Sequence, residues 1–246
     1  MNRDIFEIMY NTEETYWWFT GQRLLLKQLL DKYYSGRKNL VLLDVGCGTG
    51  RVLELLGKYG KPYGIDLSDD ALGFCRERGA KNVKSSDVMD IKFKPNTFDA
   101  VTSLGVFYHR NVVDDLRGMK EIHRVLKPDG RLFFFDCAMM SLYGNHDLAF
   151  HGVRRYSKRE LKSKLENAGF VVERISYINS LMFLPVYLKR KLEKLTKPRA
   201  KSEIQETISP LFNSILGRLY KTEIKFSKYM SYPFGINIFA VARKSK

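Results

Sequence analysis

Three absences narrow what this chain of 246 residues can be. Cys47, Cys75 and Cys137 are its only cysteines, widely spaced and without a close Cys or His partner. That leaves neither a disulfide framework nor a zinc site of ordinary spacing, and it fits a reducing cytoplasm. No metal is expected. A continuous hydrophobic run is missing too. Residues 1–10 mix Arg3, Asp4 and Glu7 among apolar side chains, unlike a secretory signal, and the apolar stretch 181–188 falls short of the roughly 20 residues needed to span a bilayer. Acid is missing from the C-terminal part. Residues 1–150 carry 21 Lys and Arg against 20 Asp and Glu, whereas residues 151–246 carry 21 against 7, so +14 of the net +15 lies there. A surface of that charge concentrates nucleic acid, anionic lipid or a phosphorylated small molecule, or is simply a solvated face.

What is present is a folded composition, 44% apolar and 28% charged, without repeats or low-complexity tracts. Short apolar runs predict strands at 40–45, 63–66, 82–85, 98–104, 131–136, 170–178 and 235–243, and helical spacing predicts helices at 51–59, 68–78, 113–126 and 157–168. Near-continuous apolar strands alternating with helices imply an α/β fold. The expected form is a Rossmann-like, doubly wound, mostly parallel seven-stranded sheet with ligands at the carboxyl ends of its strands. Residues 179–233 contain helical patterns at 181–195 and 203–230 and read as a helical insertion before the last strand.

The central motif, Asp44-Val45-Gly46-Cys47-Gly48-Thr49-Gly50, joins the first strand to its helix. Glycines allow a tight turn and close backbone approach, and the helix start presents unpaired N–H groups. No Lys-Ser/Thr follows, which disfavours a phosphate-cradling P-loop, and a nicotinamide site would place its third glycine one residue later. Asp66 ends the second strand, where a carboxylate can accept hydrogen bonds from both hydroxyls of a ribose.

These segments resemble the class I S-adenosylmethionine-dependent methyltransferases, of the methyltransferase type 11-like kind. The resemblance runs through L-L-D-V-G-C-G-T-G, G-I-D-L-S at 64–68, S-D-V at 86–88, F-D-A-V at 98–101 and R-V-L-K-P-D-G at 124–130. It implies S-adenosylmethionine as cofactor, with Gly46, Cys47, Gly48 and Gly50 against its methionine part and Asp44 at its amino group. By the same resemblance Asp66 and Leu67 lie at the ribose, Asp87 and Val88 at the adenine, and Leu104 and Gly105 beside the methionine end. The chain then reads as one methyltransferase domain, 1–246. Its parts are a helical cover over 1–39, a cofactor-binding core over 40–178, the insertion over 179–233, and the last strand with a basic tail over 234–246.

The segment Trp17-Trp18-Phe19-Thr20-Gly21-Gln22-Arg23 is similar to a W-W-F-x-G-R-R-like subgroup found with cell-surface glycan or lipid-linked saccharide genes, from which Gln22 departs; His151 to Tyr156 and P-F-G at 233–235 extend the likeness. Trp17, Trp18, Arg23, Arg154, Arg155 and Tyr156 are therefore the candidate substrate contacts. The aromatics are equally well accounted for as core, and the arginines as surface ion pairs. Methyl transfer needs an acceptor in line with the methyl–sulfur bond, and a hydroxyl acceptor also benefits from a base, for which His109 and His151 are the candidates. No Asn-Pro-Pro-aromatic sequence follows the fourth strand, so amino-group methylation of that type is disfavoured.

The stretch 181–188, joined to Lys189, Arg190, Lys191, Lys194 and Lys197, has the make-up of an interfacial helix or of a lid with solvated lysines. The leading expectation is a cytoplasmic methyltransferase acting on a small-molecule or lipid-linked, anionic saccharide acceptor, with peripheral contact at the inner membrane face. An RNA methyltransferase and a non-catalytic cofactor-binding module are the alternatives.

Overall fold

A computed structural model describes residues 3–195 and 208–245. Its strands are β1 (Leu40–Val45), β2 (Gly60–Asp66), β3 (Val83–Ser85), β4 (Phe98–Leu104), β5 (Leu126–Cys137), β6 (Phe170–Ile178) and β7 (Asn237–Lys244). They form one sheet in the order β3-β2-β1-β4-β5-β7-β6. The first five run parallel; β7 is antiparallel to both β5 and β6. The helices are α1 (Arg3–Thr12), α2 (Trp17–Tyr34), α3 (Arg51–Leu56), α4 (Asp69–Glu77), α5 (Asp115–Val125), α6 (Asn145–Ala149), α7 (Lys158–Asn167), α8 (Phe183–Glu193) and α9 (Pro210–Phe226).

The strands are apolar throughout because helices cover both faces of the sheet. Leu42, Phe133, Phe135, Phe239 and Val241 pack on one face with Leu26, Leu30, Leu216 and Ile224 of α2 and α9. Leu43, Val101, Phe134, Ile238 and Ala240 alternate onto the other, with Met119 and Ile122 of α5 and Leu161 and Leu165 of α7. Helix starts are set by short polar caps: Ser68, Asp114, Ser157 and Ser209 each accept the backbone N–H three residues on.

The seven predicted strands and the two insertion helices are all found, and the largest shifts among the strand boundaries are at the starts of β5 and β2. β5 begins at Leu126 rather than 131, because Leu126 pairs with Phe98 and the register shifts before Arg131 resumes opposite Ala100. β2 begins at Gly60, where a Cβ would lie 2.0 Å from the Leu40 carbonyl oxygen; only glycine lets the two strand starts meet. Of the predicted helix at 203–230, residues 203–207 lie outside the described residues, as does Lys197.

The insertion is anchored by α9, which lies along α2. Tyr220 sits over Gly21, where a Cβ would be 2.1 Å from the tyrosine ring, and the Gln28 amide donates to the Ile224 carbonyl at 3.0 Å. Backbone N–H of Trp17 donates to Asn213 Oδ1 at 2.8 Å. A small residue in the predicted aromatic segment thus fixes how closely the insertion approaches the sheet.

Candidate active site

The glycine loop turns at the carboxyl end of β1. Gly46 has φ +67°, and a Cβ there would stand 2.4 Å from Val106 Cγ2, so the loop excludes any side chain at this point. Gly48 donates its N–H to Asp66 Oδ2 at 3.0 Å, and Ser68 N–H donates to Asp66 Oδ1 at 2.9 Å. The strand-end carboxylate therefore holds the loop as well as capping its own strand. Thr49 Oγ1 donates to Glu13, whose other partner is Arg78 at 2.7 Å, and the Arg78 guanidinium lies over the Tyr10 ring. This trio ties the end of α1 to the loop and to α4.

Beside the loop opens a cavity of about 450 Å³. Its inner end is Asp44, Gly46, Cys47, Gly48, Thr49, Leu104 and Gly105, with Tyr108 and Asp136. Its middle is aromatic, formed by Trp17, Trp18, Phe19 and Phe135 with Gln22 and Arg23; its outer end is Met182, Pro185, Val186 and Lys189 of α8 with Phe212 and Leu216 of α9. Trp18 is held by its indole N–H on Asn237 Oδ1 at 3.1 Å and edge-on to Phe135; Trp17 stands edge-on to Tyr220. The same aromatics form both the cavity wall and part of the core.

Two carboxylates in the wall are fully buried. Burial pushes Asp44 up to about 7 against the hydrogen bond it accepts from Thr102 Oγ1 at 2.6 Å. Burial likewise pushes Asp136 up to about 7, although it accepts backbone N–H groups of Phe107 and Cys137 at 2.8 and 2.7 Å. Each is poised to change charge near neutrality, Asp44 next to the loop and Asp136 at the end of β5. Arg23 is half-buried and shifted down by desolvation, opposed by Glu13.

Several predicted contacts lie elsewhere. Gly50 does not line this cavity; its φ is +88° and it closes the turn against Cys75 of α4. Asp66 stands one hydrogen bond behind Gly48. Leu67 points to solvent, Asp87 accepts the Met89 N–H at 2.8 Å, and Val88 is buried in the core. Tyr156 is fully buried and donates to Asp115 Oδ2 at 2.9 Å; Arg154 pairs with that carboxylate at 3.4 Å. Both therefore tie the α5–α7 side of the sheet together, away from the cavity. Arg155 does line it, but its guanidinium is spent on Asp147, at 2.8 and 3.1 Å, and on the Ala138 carbonyl.

Neither histidine lines the cavity. His109 packs edge-on to His151, its Nδ1 accepts the Asn111 N–H at 3.1 Å, and desolvation lowers it to about 4. His109, a candidate base by its place just beyond β4, is here a packed imidazole whose charged form burial disfavours. Glu13 and Asn237 carry no local signal and enter the site only through pairing of distant segments, whereas Asp136 ends a predicted strand and the α8 wall falls in the stretch read as an interfacial helix or a lid. Among the described residues there is no cluster of His, Cys, Asp or Glu suited to a metal.

Comparison with known proteins gives a sequence family described as "Methyltransferase domain", matched by residues 43–134. A chloroplastic 2-phytyl-1,4-beta-naphthoquinone methyltransferase of Arabidopsis thaliana is 36% identical over 129 residues, 47% of this chain and 49% of that protein. A demethylmenaquinone methyltransferase of Staphylococcus aureus strain JH9 is 34% identical over 173 residues, 56% of this chain and 71% of that one. The chain spans about half the length of the first curated relatives it matches. In structure it resembles phosphoethanolamine N-methyltransferase 2 of Haemonchus contortus in complex with S-adenosyl-L-methionine, with TM-score 0.59, 19% identity, and coverage of 92% of this chain and 52% of that one. At that identity the likeness establishes the fold.

Proposed function

The chain belongs to the class I S-adenosylmethionine-dependent methyltransferases, and from that premise we propose that it methylates a small molecule with an apolar body, held in the cavity beside the glycine loop. The observation that carries this reading is the continuity of one cavity from Asp44, Gly46 and Gly48 through the aromatic wall to α8 and α9. Relatives named for naphthoquinone and menaquinone substrates support an acceptor of this class. A lipid-linked saccharide is the finer candidate, for which Lys189 and Arg23 supply positive charge at the wall. The reading places the reaction in the cytoplasm, at the inner membrane face.

The inner end fits the cofactor. Gly48, at positive φ, leaves open space where a side chain would stand, with only Met9 Cε at 4.0 Å, and Asp44 offers a carboxylate to an ammonium group. When bound, S-adenosylmethionine supplies an electrophilic methyl on sulfonium. Asp44 and the Gly46–Gly48 backbone hold it, Asp66 keeps the loop in place, and Trp17, Trp18, Phe19 and Leu104 exclude water from the acceptor side. Asp136 takes the proton of a hydroxyl acceptor, since it lines the cavity and its burial brings it close to neutrality. Incubation with methyl-labelled cofactor and fractionated cell extract tests the proposal. Label in lipid-soluble or small-molecule fractions is expected. Label in RNA would favour the nucleic-acid alternative, and tight cofactor binding with no label in any fraction would favour a non-catalytic module.

A further inference from the structure

Helix α8 presents two unlike faces. Met182, Pro185, Val186 and Lys189 close the cavity. The other side carries Leu184, Leu188 and Leu192, which are 61%, 53% and 65% exposed and recur every fourth residue, so they form one stripe; Leu181 and Leu195 prolong it at either end. α9 repeats the pattern with Leu211, Ile215, Leu219 and Phe226, all exposed. Stripes of this length on solvent-facing helices are costly in water unless something covers them.

Two observations identify the cover. First, the charge around the stripes has a single sign. Segments 181–195 and 208–230 hold eight Lys and Arg against Glu193 and Glu223. Both acids turn inward, Glu193 onto Arg190 and the Asn145 N–H, Glu223 onto the Ser180 N–H. Lys191, Lys194, Arg218, Lys221, Lys225 and Lys228 are left on the exposed surface. Second, Pro185, Lys189 and Phe212 are the only residues of the cavity wall that are also exposed, among those described. They mark its rim, and the rim belongs to these same two helices.

We propose that the α8 and α9 stripes dock the protein in the interface of an anionic phospholipid bilayer, so that the cavity mouth opens onto lipid. Apolar side chains enter the acyl boundary while the lysines meet anionic headgroups. Among the described residues no helix is long and apolar enough to cross a membrane, so the contact is a peripheral one. The docking itself needs no methyl transfer. Direct entry of the acceptor from the bilayer rests on the methyltransferase reading above.

Vesicle flotation with the full chain tests it, using phosphatidylcholine alone and with added phosphatidylglycerol, at low and at high salt. Anionic vesicles should be bound at low salt, with a reduced but finite fraction at high salt, because apolar insertion is not screened. L184S/L188S/L192S should bind roughly tenfold or more weakly, and K191E/K194E should lose the preference for anionic lipid. Both variants avoid the cavity wall, so unchanged S-adenosylmethionine binding and melting temperature would show that they fold. Absence of wild-type binding to anionic vesicles, or binding that the leucine variant leaves intact, would overturn the docking. So would a dimer that the leucine variant splits without any vesicle binding, or a preference for RNA over vesicles. Vesicle binding without transfer of labelled methyl to any lipid-soluble compound would leave the docking standing and defeat only the entry route.

Discussion

The two ends of the cavity are built in opposite ways. The inner end comes from one short segment, 44–49, with the strand ends that flank it, and its groups are backbone atoms and carboxylates held within a few residues of one another. The outer end is assembled from α2, α8 and α9, which lie far apart along the chain and meet through Tyr220 on Gly21 and Asn213 on Trp17. The inner end uses geometry that any acceptor chemistry can share, whereas the outer end can be rebuilt by changing helix faces. On the proposed function, the reaction belongs to the first and the choice of acceptor to the second.

The largest expected effect separates a base from a wall residue. Asp136→Asn should lower methyl transfer by about 10²–10⁴-fold while S-adenosylmethionine affinity changes little; an equal loss in both would return Asp136 to a loop-holding role. His109→Gln, outside the cavity, should leave turnover within about twofold under the same assay.

Next is Arg155, which separates structure from recognition in the cavity wall. Arg155→Met leaves Asp147 buried without its guanidinium, and breaking such a pair costs about 3–5 kcal/mol. Chemical denaturation should show that loss. A stable variant with weakened acceptor binding would instead make Arg155 a substrate contact.

Gly21→Ala should cost about 1–3 kcal/mol through overpacking against Tyr220. Its melting temperature should fall while cofactor affinity stays near wild type, since α9 and not the glycine loop is disturbed. A matching loss of cofactor affinity would show that the two ends are not separable.

The smallest effect is in pH. Asp44 and Asp136 hold protons in the folded chain that the unfolded chain releases from its ordinary carboxylate range upward, because burial raises both to about 7. The folded state therefore binds more protons between about pH 4 and 7, and these groups lower stability as pH rises through that window. Melting curves of Asp44→Asn should fall less steeply across it than those of the wild type. Identical slopes would mean that Asp44 is already ionised.

The inner end was legible from sequence because its chemistry is local: a glycine turn, a strand-end acid and a capping Ser68 are neighbours in the chain. Even there, Gly50 lies against Cys75 and Val88 in the core rather than on the wall of this cavity, since spacing alone does not distinguish a glycine facing a cavity from one facing Cys75. The sheet was legible for the same reason, apart from the early start of β5. The outer end was legible only in part: the aromatic segment and the lid-like stretch at 181–188 stand out in the sequence, but Glu13 and Asn237 join the site through contacts that no local pattern encodes, and His109, placed by its distance from β4, faces His151 instead of the cavity. The aromatic segment was found, but its second role, receiving α9 at Gly21, depends on a residue roughly two hundred positions away.

The central claim is that Asp44 and the glycine loop receive a positively charged cofactor, and calorimetric titration of S-adenosylmethionine into wild type and Asp44→Asn tests it most directly. The wild type should bind, releasing protons near pH 7 as the carboxylate ionises against the ammonium group. The variant, equally folded, should bind about 1.5–3 kcal/mol more weakly and release fewer protons. No heat of binding in the wild type, or equal affinity in the two proteins, would contradict the account.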